Sequence, residues 1–258
     1  MIFSLTDRKK SKSQRLTLDA VLGTLRLSHK YQIEGLQQVI VQRLRQDWPL
    51  NHSDYHMRLT AFGSQRHSIT QVAKVIETMQ HCQVKELLPT AFYELDCAWG
   101  SQWLQIIGVL SPENVLRLSV GRERSTLRLR EFINRTGKQE MWKESSSTSI
   151  YERRAAFSNC FGEYRHYAIA KEKRFCPSGF RDLRRKLSDM LFEGTAVIPA
   201  LSKCGRDDLG DVVCDNCKDW YMDLLKNKIR ELWENIPEDF DLPAVDPELY
   251  SQRTFNSL

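Results

Sequence analysis

The stretch VVCDNCKDW, residues 212–220, holds Cys214 and Cys217 with two residues between them, just ahead of Trp220. Two thiolates at this spacing can chelate one zinc ion from a single turn, and a structural zinc site needs four such ligands in a tetrahedron. A second pair is available in NCFGEYRH, as Cys160 and His166, with Cys176 or Cys204 as alternative donors. Thioredoxin-type redox chemistry also uses the CxxC spacing, but after a strand in a βαβ unit, a context this sequence does not offer. A third reading is two reduced thiols at the start of a helix, with Cys214 near its N-cap. The spacing leaves the zinc clip and the plain thiols both open.

Elsewhere the chemistry is sparse. There is no phosphate-binding loop, dinucleotide fingerprint, HExxH or GxSxG. Of the six histidines, His29, His52, His56, His67, His81 and His166, only His52 and His56 stand at i and i+4. They would share a face, and a metal, if their segment were helical; its polar composition points instead to a solvated loop. Cys82 and Cys97 fall on or beside apolar helix faces, as buried core thiols do. Arginine clusters at Arg122, Arg124, Arg128 and Arg130, and at Arg181, Arg184, Arg185 and Lys186, suit a phosphate backbone. Glu123, Glu131, Asp182 and Asp189 interrupt both clusters, which is the pattern of a solvated helix face.

These residues must be held by helices. Leu18, Val21, Leu22 and Leu25 form one apolar stripe from Thr17, and Ile33, Leu36, Ile40 and Leu44 form a second that Trp48-Pro49 ends. The tight connection between them predicts antiparallel or steeply crossed packing. Residues 50–66 read as a polar connector. Ser68 and Gln71 have capping-box spacing ahead of a helix burying Ile69, Val72, Val75, Ile76 and Met79. A helix around Leu87–Trp99 carries Pro89 near its start, and Ser111-Pro112-Glu113 opens another that runs toward Ile133. Residues 135–150 read as a loop. Helical spacing returns at Phe180, Leu183, Leu187, Met190 and Leu191, and a last helix buries Trp220, Leu224 or Leu225, Ile229, Leu232 and Trp233. TAVIPAL is the one weak strand candidate, and Pro237 and Pro243 mark an extended exit. The class is mainly α, an irregular multi-helix array.

The chain has 258 residues, 41% hydrophobic and 28% charged, the composition of a globular protein. Its 38 basic and 33 acidic residues leave a net charge of only +5. No stretch approaches the ~20 apolar residues that span a bilayer. The N-terminus lacks the pattern of a secretory signal, and seven cysteines is an odd number, so reduced thiols and a cytoplasmic or nuclear location are expected.

Residues 17–49, TLDAVLGTLRLSHKYQIEGLQQVIVQRLRQDWP, resemble the C-terminal helices of the BTB/POZ-domain proteins of fungi, in particular the large basidiomycete family. LLPTAFYELDCA at 87–98, LSPENVLRLSVGRERSTLRLREFI at 110–133 and LWENIPEDFDLP at 232–243 are similar to the same family's C-terminal region, in the same order. The resemblance implies BTB-like helices over 1–50, a helical extension over 51–140 and a Cys-containing helical region over 141–258. About fifteen residues precede the first matching helix, so the chain is expected to lack most of the β-rich half that builds the BTB sheet and most of its dimer interface. Homodimerisation and recruitment of cullin-type ligases are therefore not carried over. The family's C-terminal region often has two cysteine pairs; Cys214 and Cys217 match the second, Cys160 matches one member of the first, and His166 stands where its partner would be. The resulting expectation is a non-enzymatic protein–protein interaction protein, with structural zinc as its one candidate cofactor and partners that are proteins rather than membranes. The alternative is a nucleic-acid-associated regulator that uses the arginine clusters.

Overall fold

The computed structural model describes residues 17–61, 67–135, 176–209, 213 and 215–243. Among these the protein is mainly helical, with no strand. In chain order the helices are α1 (Leu18–Lys30), α2 (Glu34–Asp47), α3 (His52–Ala61), α4 (Ile69–His81), α5 (Leu88–Val109), α6 (Pro112–Arg135), α7 (Cys176–Phe192), α8 (Val197–Ser202), α9 (Asp215–Glu234) and α10 (Ile236–Asp239), with a 3₁₀ turn at Arg206–Leu209 between α8 and α9.

Local sequence explains most of the starts. Thr17 caps α1 by accepting from the Ala20 amide. The Ser68–Gln71 capping box is present in both directions, Gln71 N to Ser68 Oγ at 3.2 Å and Ser68 N to Gln71 Oε1 at 2.9 Å. Pro89 and Pro112 both stand in first turns, where a missing amide hydrogen costs little. Four helix ends share one device: the amides of Ile33, Val84, Thr195 and Leu242 each donate to the carbonyl five residues back. The residue before each, Gln32, Gln83, Gly194 and Asp241, has positive φ. This is the left-handed cap that glycine usually supplies; three of the four use another residue and accept roughly 1–2 kcal/mol of strain each.

α1 and α2 form a hairpin, α1 also touches α4, and α4 lies along α5. α6 packs on α5 and on α7, while α7, α8, the 3₁₀ turn and α9 gather together. α10 rests against α6 and α5. One connected hydrophobic core runs from Val21 to Leu242. Its largest buried side chains include Trp48, Tyr55, Phe92, Tyr221 and Phe240. α5 bends at Gln102, whose φ of −134° and ψ of 18° leave the helical region.

Gly121 lets α6 and α10 approach. A Cβ built there would fall 2.3–2.6 Å from three ring carbons of Phe240. Glycine to alanine in a helix interior ordinarily gains up to about 1 kcal/mol. Here Gly121→Ala is expected to reverse the sign and destabilise by about 1–2 kcal/mol, because overpacking a filled core costs ~1–3 kcal/mol. A urea midpoint equal to or above that of the native protein would refute this.

Several sequence readings need correction. Residues 52–61 of the expected connector are helical, capped by Asn51, whose Oδ1 accepts from the Asp54 amide at 2.8 Å. TAVIPAL is no strand: Val197–Ser202 is a helix with Pro199 in its first turn. Pro237 does not begin an extended exit but stands in the first turn of α10. Ile33 and Leu36, assigned to an apolar stripe, are exposed, and Ile40, Val41 and Leu44 form the buried face of α2. Leu225, not Leu224, takes the fully buried position on α9. The expected loop after residue 135 lies outside the described residues.

Candidate functional site

Of the zinc candidates, Cys160, His166 and Cys214 lie outside the described residues, as do the side chains of Cys217 and Cys176. The backbone places Cys217 in the first turn of α9. Cys204 is described, and its chemistry is that of a thiol. Its Sγ donates to the Ala200 carbonyl at 3.4 Å, and burial pushes its pKa up to about 11. Cys82 is buried at the C-cap of α4, with burial again raising its pKa, as expected of a core thiol. Cys97 is only half-buried. Among the described residues no three His, Cys, Asp or Glu side chains come together as a metal site.

The first arginine cluster does not form a solvated face. Arg122 Nη1 donates to Asp96 Oδ1 at 2.7 Å and to the Asp96 carbonyl at 3.1 Å, and its Nη2 reaches the Gly194 carbonyl at 2.5 Å. Arg124 donates to the carbonyls of Glu238 and Asp239. Arg128 Nε donates to Asp239 Oδ1 at 2.8 Å, and Ser125 Oγ donates to Asp239 Oδ2 at 2.8 Å. Three arginines of α6 therefore tie α5, α10 and the turn after α7 together, and Arg124 and Arg130 are the exposed members of the cluster. In the second cluster, Arg185 pairs with Asp182 and Lys186 with Asp208.

Asp96 gives this bracing a pH signature. Burial pushes its carboxyl above the ordinary value of 3.8, and Arg122 opposes the rise. With its folded pKa raised, Asp96 binds protons more tightly in the folded state. Its contribution to stability is then greatest below 3.8 and is lost as pH climbs through the folded pKa. Arg122→Met removes the opposing charge and widens that window. The variant is expected to lose about 2 kcal/mol at neutral pH, the scale of hydrogen bonds to charged groups, and less near pH 4, where Asp96 takes up a proton. Urea midpoints at the two pH values check this, and an identical loss at both would contradict it.

A second ionic group was not legible in the sequence. Glu94 of α5 is buried, with Oε1 3.5 Å from Arg58 Nη2 of α3 and 3.5 Å from His67 Nδ1. The His67 ring stacks on Trp48, centroids 4.4 Å apart and 22° from parallel, and Arg58 lies over the Tyr55 ring at 5.2 Å. A carboxylate beside an imidazole is how a general base is oriented. Here, however, Trp48 covers the imidazole and the carboxylate lies within the packed core. The group acts as a tie between α3, α5 and the residue before the Ser68 cap. Arg58 and His67 stand 36 and 27 positions before Glu94 by residue number, a separation no local motif marks.

The surface carries a different signal. Leu27, Tyr31, Ile33, Leu36 and Val39 are exposed, with Tyr31 and Val39 each 64% accessible, all on the α1–α2 hairpin. Trp103, Leu104 and Ile107 are also exposed, beyond the bend in α5. No helix of the described residues is long and apolar enough to cross a membrane. Comparison with protein-family models, with curated proteins and with solved structures finds no match to this chain.

Proposed function

We propose that the chain is a non-enzymatic protein–protein interaction module of the BTB/POZ kind, acting in the cytoplasm or nucleus. The observation that supports this reading is the gathering of exposed apolar side chains on one helical hairpin, residues 27–39. Single exposed apolar residues are ordinary on a protein surface; several brought onto one small element are the mark of a contact surface. The nucleic-acid alternative loses support because Arg122, Arg124 and Arg128 are committed to intramolecular acceptors. A zinc clip of Cys160, His166, Cys214 and Cys217 stays part of the proposal. Cys217 in the first turn of α9 supports it, since a helix N-terminus favours the thiolate form. The zinc content of protein purified without added metal tests that part.

The interaction reading is tested with a photo-crosslinking residue at Val39 in cells that express the chain. The expected result is a small, reproducible set of protein adducts that Leu27→Glu and Leu36→Glu abolish while the helical circular dichroism is retained. Absence of adducts, or adducts indifferent to both substitutions, would overturn it.

A further inference from the structure

We propose that His52 and His56 form a bidentate site for a divalent late transition metal ion, of the zinc, copper and nickel class, on the first two turns of α3. The argument begins with Asn51. By capping the segment it makes helix of what composition alone suggested was loop, and so turns an i, i+4 spacing into a shared face. The two imidazoles lie nearly parallel, 18° apart, with centroids 6.0 Å from each other. Nitrogens about 2.0–2.1 Å from one ion put ring centroids roughly 5 Å apart. Closing the pair on a metal thus takes about 1 Å of approach between the two rings.

His52 is the fixed member. Its ring meets Trp233 edge-on at 5.4 Å and is half-buried. A metal held here would be bridged by two turns of one helix. Among the described residues no third His, Cys, Asp or Glu joins the pair as a metal-binding group. Neutral imidazole donors suit zinc, copper and nickel, and not the hard calcium or magnesium ions. The proposal does not depend on the interaction reading.

The test is titration of the full chain with nickel(II), a probe that does not oxidise its thiols, followed by tryptophan fluorescence and thermal unfolding. Nickel is expected to quench part of the emission, through Trp233, and to raise the unfolding temperature, both reversed by a chelator. His56→Asn, at an exposed position, should weaken that binding by more than the ~10–100-fold that loss of a mere supporting hydrogen bond around a metal costs. His29→Asn should leave it unchanged; it opens the other histidine pair, His29 and His81, whose rings stand 68° apart. Equal nickel affinity in the native protein and His56→Asn, or loss of binding in His29→Asn instead, would overturn the proposal.

Discussion

Trp233→Ala is expected to be among the most damaging single substitutions in the chain, lowering stability by about 4 kcal/mol. Trp233 is buried where four aromatic rings meet: Tyr55 at 5.5 Å, Tyr93 at 5.1 Å and His52 at 5.4 Å surround it. Truncating a buried Trp or Phe to alanine costs ~3–5 kcal/mol, through lost burial and the cavity left behind. A second loss comes with it, because the indole Nε1 donates to the Leu50 carbonyl at 2.8 Å. That carbonyl precedes α3, so the bond joins the end of α9 to a segment 183 residues earlier. Trp233→Phe separates the two effects. It keeps most of the apolar volume and loses the donor, so about 1–3 kcal/mol is expected, the cost of orphaning a buried acceptor. Chemical denaturation of the three proteins decides the matter. If alanine and phenylalanine cost the same, the hydrogen bond dominates and the packing argument fails.

Asp239→Ala is expected to cost about 3 kcal/mol. The side chain is 0% exposed and its two oxygens accept from Ser125 and Arg128. Removing one partner of a buried ion pair typically costs ~3–5 kcal/mol. The lower end applies because Arg128, 31% exposed, can rehydrate and keeps Glu238 at 3.1 Å. The Arg128 pKa is raised, first by its hydrogen bond to Asp239, and burial acts against that rise. Adding Arg128→Met to Asp239→Ala should recover part of the loss, since the stranded charge then disappears. A double variant no more stable than Asp239→Ala alone would show that the arginine had not been stranded.

The local grammar of this chain could be read well. Thr17, Ser68 with Gln71, and Ser111-Pro112 announce helix starts through bonds that close within three residues, so no distant partner is needed to predict them. Apolar stripes spaced at the helical period likewise located α4, α7 and α9. Helix ends were harder, because three of the left-handed caps use Gln32, Gln83 and Asp241 in place of glycine. α3 was missed since Tyr55 is the one apolar side chain fully buried among its described positions, and its partners Tyr93 and Trp233 are remote. The Asn51 cap ahead of Asp54 was the signal that could have found it.

What the sequence determined by itself was the class: a mainly α chain, with its helices placed by caps, prolines and apolar periodicity, all of which act over one or two turns. Tertiary structure alone decided what the polar residues do. Whether an arginine faces solvent or a buried carboxylate depends on a neighbour 26 or 111 positions away, as with Arg122 and Asp96 or Arg128 and Asp239. It likewise decided that Ile33 and Leu36 are left uncovered. A stripe states only that a helix has an apolar side, and burial requires another element to lie against it.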